Sequence, residues 1–142
     1  MTNKISRIIF LSFVCALTLM LTSYNAQTES INSGLLEIDI EIAPGTLNIQ
    51  SNGHVVTVHT DIKYFEVVHQ DVYLNGIRIT SWKADNRGYF VAKFSMDEVK
   101  KLAENLTVPG ENELTLTGYT VDGTDFIGTE TITVINNLPS KK

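Results

Sequence analysis

"LEIDIEI", Leu36 to Ile42, alternates without a break: Leu36, Ile38, Ile40 and Ile42 point one way, and Glu37, Asp39 and Glu41 point the other. A period of two is the signature of a half-buried strand, since successive side chains leave a pleated backbone on opposite faces. Working outward, the pattern repeats. Pro44-Gly45 turns the chain, and "TLNIQS" follows as a short alternating strand with Leu47 and Ile49 inward. Asn52-Gly53 suits a tight hairpin, because both residues tolerate positive φ. "HVVTVHT" then reads as the return strand, with Val56 and Val58 inward. "DIKYFEVVHQ" is less regular and fits a connection that crosses between sheets.

Asn75-Gly76 gives a second hairpin signal inside "DVYLNGIRITSW". After it, Ile77 and Ile79 share one face, and Arg78, Thr80 and Trp82 share the other. The next strand puts Phe90, Ala92 and Phe94 on one side. Ser95 and Glu98 have capping-box spacing, and Val99, Leu102 and Leu106 form an apolar stripe at helical spacing. A short helix is therefore expected at about Met96–Asn105, stopped by Pro109-Gly110. "NELTLTGYTV" and "FIGTETITVI" are two more Thr-, Val- and Ile-rich strands, joined by Asp122-Gly123-Thr124-Asp125. The expected fold is all-β: an antiparallel sandwich of about seven or eight short strands with one short helix.

The 142 residues suit a single domain. Residues 1–26 read as a signal peptide: Lys4 and Arg7 precede an apolar run, Ile8 to Leu21, too short for the roughly 20 residues of a membrane span. Cleavage is expected after Ala26, with Ser23 as an alternative site and an uncleaved anchor as the competing reading. Residues 27–35 read as a flexible lead-in, 36–136 as the sandwich and 137–142 as a solvated tail. Cys15 lies inside the apolar run, so the mature chain has no disulfide, thiol nucleophile or cysteine metal site. Loss of Lys4 and Arg7 leaves nine basic against 16 acidic residues. That balance argues against a nucleic-acid partner, which needs a basic face.

The order of these pieces resembles a small extracellular immunoglobulin-like (Ig-like) β-sandwich repeat of secreted and surface proteins in bacteria and archaea. The resemblance runs through Ile40–Thr60, Asp71–Gly76, Phe90–Ser95 and Leu114–Val134. It implies a non-catalytic accessory or spacer module. In many relatives the loop before the "VKF"-like strand is Asp-rich and resembles a calcium loop. Here "KADNRG", Lys83 to Gly88, keeps only Asp85 and Asn86, and Arg87 would repel a cation that needs six to eight oxygens.

Other constellations have a bland and a functional reading. Asp122 and Asp125 are turn residues, or a cation site completed by backbone carbonyls. Glu37, Asp39 and Glu41 are a solvated face that discourages edge pairing, or a docking row for a basic partner. Trp82 and Tyr89 cover the core rim, or form a stacking platform for a sugar ring. His54, His59 and His69 have no metal-ligand spacing, and no nucleophile elbow is present. Asn105-Leu106-Thr107 matches a glycosylation acceptor.

The expected function is a secreted, periplasmic or cell-surface domain, without enzyme activity, serving a structural, adhesion or protein-binding role. Its partners are a protein, a surface glycan or another copy of itself. The alternative is a calcium- or carbohydrate-binding module using Asp85, Asn86, Asp122, Asp125, Trp82 and Tyr89.

Overall fold

A computed structural model describes residues 34–138. The expected signal peptide, most of the expected lead-in and the last four residues of the expected tail lie outside the described residues. Ten strands form two facing sheets. Sheet A is ordered β1 (Leu36–Glu37), β10 (Asp125–Ile135), β9 (Gly110–Tyr119), β5 (Tyr73–Leu74), β6 (Ile77–Arg78), with β3 (Thr46–Asn48) also on β10. Sheet B is ordered β2 (Ile40–Ala43), β4 (Val55–Lys63), β8 (Tyr89–Ser95), β7 (Ser81–Ala84). A six-residue helix, α1 (Met96–Lys101), and two 3-10 turns, Tyr64–Glu66 and Leu102–Asn105, complete the described residues.

The period-two faces meet in one core. Leu114, Leu116, Phe126, Ile132 and Val134 from sheet A pack against Ile42, Val56, Val58, Phe90, Ala92 and Phe94 from sheet B, all buried. The register explains the agreement. Ile42, Val58, Ala92 and Trp82 lie in one row across sheet B on the core face, while Glu41, His59, Val91 and Lys83 form the next row on the outer face. Gly118 stands directly opposite Phe126. A Cβ there would fall 2.5 Å from Phe126 Cζ, so the glycine makes room for the ring.

Several expectations are corrected. "LEIDIEI" is not one strand. β1 pairs parallel with β10, and two residues later β2 pairs with β4 in the opposite sheet. Gly128 permits the crossing: a Cβ there would meet Ile40 Cγ2 at 2.5 Å and the Ile38 carbonyl oxygen at 3.0 Å. Leu36 consequently stays 40% exposed instead of joining Ile42 in the core. Glu130 has the inward parity of Phe126, Ile132 and Val134, and its carboxylate accepts the Ile42 amide, tying β10 to β2.

The chain then returns to sheet A, where β3 runs parallel to β10. The sandwich is thus not purely antiparallel, and repeated crossings raise the strand count to ten. Asn52-Gly53 therefore does not close a hairpin between β3 and β4, and neither residue has positive φ. Gly53 serves a close approach instead: its missing Cβ would fall 2.7 Å from Met96 Sδ, where α1 covers the loop. Asn75-Gly76 does close the β5–β6 hairpin, with φ of 46° and 81°.

The helix is present, but Ser95 occupies its N-cap without a side-chain hydrogen bond, so the capping box does not form. Met96 and Val99 are buried, and Leu102 falls in the 3-10 turn, half-buried. Asn112 fixes the connection that follows. Its side chain accepts the Thr107 amide at 2.6 Å and donates to the Thr107 carbonyl at 2.9 Å.

Candidate functional site

The opening of β8 is held by a turn built on one carboxylate. Asp85 Oδ1 accepts the amides of Arg87 and Tyr89, each at 2.8 Å. Its backbone closes the turn through Gly88 N–H to Asp85 O at 3.1 Å, with Gly88 at φ 81°. The Arg87 guanidinium lies 3.8 Å from Oδ2. The Tyr89 amide above all, then the Arg87 amide and charge, holds Asp85 below its usual carboxylate value. The carboxylate is committed to the turn's own donors, while Asn86 projects into solvent.

Asp122 has the same arrangement. It accepts the Thr120 hydroxyl and, at 3.1 Å, the Thr124 amide, and these bonds lower its pKa. Asp125 starts β10 opposite Tyr119 and is exposed. Among the described residues, no three His, Cys, Asp or Glu side chains are placed to hold a metal ion.

Trp82 and Tyr89 are not brought together. Trp82 pairs with Ala92 and so faces the core side of sheet B, not the side of Arg78 and Thr80. The parity changes where the chain leaves β6 for β7: Thr80 bonds Lys93 O through both its amide and its hydroxyl. The indole stacks on His69 with centroids 5.8 Å apart, and His69 stacks in turn on Phe90 at 5.6 Å. Tyr89 has the outward parity of Val91, and Lys63 Nζ sits 3.7 Å over its ring. The two aromatics serve opposite faces of one sheet.

The surface feature that stands apart lies at one pole of the sandwich, where β9 turns into β10. Phe65 is 73% exposed and Val121 67%, and Leu35, Leu36 and Tyr119 are exposed as well. The backbone brings these distant segments together. Val121 N–H donates to Glu66 O at 2.8 Å, Val68 N–H donates to Tyr119 O at 2.9 Å, and Leu36 pairs with Phe126. A groove of about 440 Å³ runs between Leu35, Leu36 and Val121, rimmed by Glu66 and Asp122 and lined by no basic side chain. A second hollow of about 270 Å³ adjoins it through Leu35, beside Tyr119 and Asp125.

Sequence reasoning missed this pole. Tyr119 and Val121 carried a signal, being apolar residues on the outward parity of β9, against inward Leu114, Leu116 and Thr120. Phe65 carried none, because it sits in an irregular connection.

No protein-family model matches the chain, and no curated protein matches it. Among solved structures, it is similar to a chain from a study of host cell surface retention of a 1.5-MDa bacterial ice-binding adhesin. Identity is 19%, the TM-score is 0.41, and the match covers 72% of this chain and 32% of that one. This chain thus spans about a third of that chain's length. No helix among the described residues is long and apolar enough to cross a membrane.

Proposed function

We propose that the chain is an exported, non-catalytic β-sandwich domain, of the small extracellular Ig-like kind, that works by protein contact in a structural or adhesive role. The apolar pole supports this reading. Exposed apolar side chains gathered at one end and rimmed by carboxylates are costly to leave in water, and apolar patches on soluble domains mark interaction sites. The carboxylates with lowered pKa point the same way. Asp85 and Asp122 each accept hydrogen bonds from their own turns through one oxygen, which gives their shifts a structural cause. His69 has a structural place as well: its Nε2 lies 2.7 Å from Tyr64 O and its ring stacks on Tyr64 and Phe90.

Site-specific photo-cross-linking in the intact envelope tests the proposal. A photoreactive residue at Phe65 or Val121 should give a defined protein adduct. The same probe at exposed Glu113, on the outer face of β9, should give none. Equal labelling at all three positions, or none anywhere, refutes the pole as a contact surface. Export is checked separately: the N-terminus of the recovered protein should lie near Gln27, and a cytoplasmic chain retaining Met1 would exclude that part.

A further inference from the structure

We propose that the pole groove receives the C-terminal segment Leu138–Lys142 of a second copy, so that the domain associates head to tail. This inference rests on the reading of the pole as a contact surface and names what occupies it.

Chemistry and reach carry the inference. The groove offers apolar Leu35, Leu36 and Val121 beneath the carboxylates of Glu66 and Asp122. "LPSKK", Leu138 to Lys142, is complementary: a leucine and a proline followed by two lysines. Leu138 is 81% exposed. The segment leaves the domain at the pole opposite the groove. β10 begins at Asp125 beside the groove and ends at Ile135, a rise of about 33 Å over eleven residues. Beyond Ile135 the chain is held at that far pole, with Asn48 Nδ2 donating to Asn137 O at 2.8 Å and Gln50 Nε2 to Asn136 Oδ1 at 2.8 Å. Tethered at Asn137, residues Leu138 to Lys142 reach at most about 17 Å when fully extended. They fall well short of their own groove, so the contact must join two molecules.

An interface between two different surfaces is heterologous, and it propagates into open chains unless the rotation happens to close a ring. The ionic part of the contact is exposed and weakens with added salt.

Sedimentation velocity on the full exported chain, from about 10 μM to about 1 mM, tests this in a range suited to weak association. Average mass should rise steadily with concentration and fall when salt is added. Lys141→Glu/Lys142→Glu and, separately, Val121→Glu should each lower the association constant tenfold or more. Circular dichroism confirms that these variants stay folded. Adding Glu66→Lys to the double tail variant should restore part of the association, because one of the groove's two charges is then reversed to match the tail. A chain that stays monomeric, a plateau at the mass of a closed dimer, indifference to the tail or groove substitutions, or absence of rescue would each overturn the proposal. A strict monomer that still gives an adduct from Val121 to a different protein would overturn only the head-to-tail contact and leave the pole as a binding surface.

Discussion

Replacing Gly118 with alanine should destabilise the domain only while Phe126 is present. The added Cβ would stand 2.5 Å from Phe126 Cζ and 2.8 Å from Cε1, closer than carbon atoms tolerate. Phe126 is 1% exposed and packed in the core, so its ring cannot swing clear. Overpacking of this kind costs about 1–3 kcal/mol. The same substitution without the clash should gain about 0.4–1 kcal/mol, because alanine restricts the unfolded chain and Gly118 has no positive φ to preserve. In a Phe126→Leu background the shorter side chain relieves the contact and the sign should reverse. A double-mutant cycle then gives a coupling of about −1.5 to −4 kcal/mol, large for a contacting pair. Urea denaturation of the four proteins, with the midpoint and slope fitted together, measures it. If Gly118→Ala costs the same in both backgrounds, within about 0.5 kcal/mol, the ring does not lie over Gly118 and the β9–β10 register is wrong.

Four further outcomes are expected. Phe94→Ala should cost about 3–5 kcal/mol in a urea melt, while Lys83→Ala on the exposed edge strand should stay within about 0.5 kcal/mol. Asn112→Ala should cost about 1–3 kcal/mol, because it leaves the amide and carbonyl of Thr107 without their partner, and amide exchange should quicken at Thr107. Asp85 and Asp122 have folded pKa values below the unfolded reference of 3.8, so they stabilise the fold above that pH and lose this contribution as pH falls through their folded values. Carboxyl titration by NMR should show both midpoints below 3.8, and Asp85→Asn should flatten the acid limb of the stability profile. Millimolar calcium should leave the melting temperature nearly unchanged. A specific site filled to 100 times its dissociation constant would add about 2.7 kcal/mol, a shift of several degrees, and abolition of such a shift by Asp85→Ala would show a calcium site in the turn.

Faces were legible in the sequence because they are local. The parity of Val56 and Val58, or of Phe90, Ala92 and Phe94, is set by the pleat within one strand. Asn75-Gly76 was equally clear, since positive φ at both positions is a local demand. Sheet membership was not legible. Whether Ile38 continues in sheet A or leaves for sheet B depends on Gly128 and Glu130, about 90 residues away in the chain. Asn52-Gly53 shows the same limit, since a glycine required by the approach of Met96 is indistinguishable in sequence from one required by a turn. Trp82 was assigned to the wrong face by counting parity through Thr80, where the chain changes sheets and the count no longer holds. The candidate ion-binding carboxylates were visible as residue types, but their commitment to neighbouring amides was not. The apolar pole stayed hidden because it gathers Leu35, Phe65 and Val121 from three separate connections.

The parallel pairing of β1 and β3 with β10 also determines how the domain would carry tension. Suppose the chain is held at both ends and the ends are drawn apart. Leu36–Glu37 is then pulled one way along the strand axis and β10 the other, so the first bonds to fail are loaded side by side, in shear. Behind them the Thr46–Asn48 pairing meets the same direction of load. An antiparallel hairpin pulled at its open ends would instead unzip one bond at a time. Resistance to such a pull is governed by the unfolding rate and not by equilibrium stability. The short strands between Leu36 and Asn48, although weak as sheet formers, therefore sit where they would set the mechanical lifetime of the sandwich.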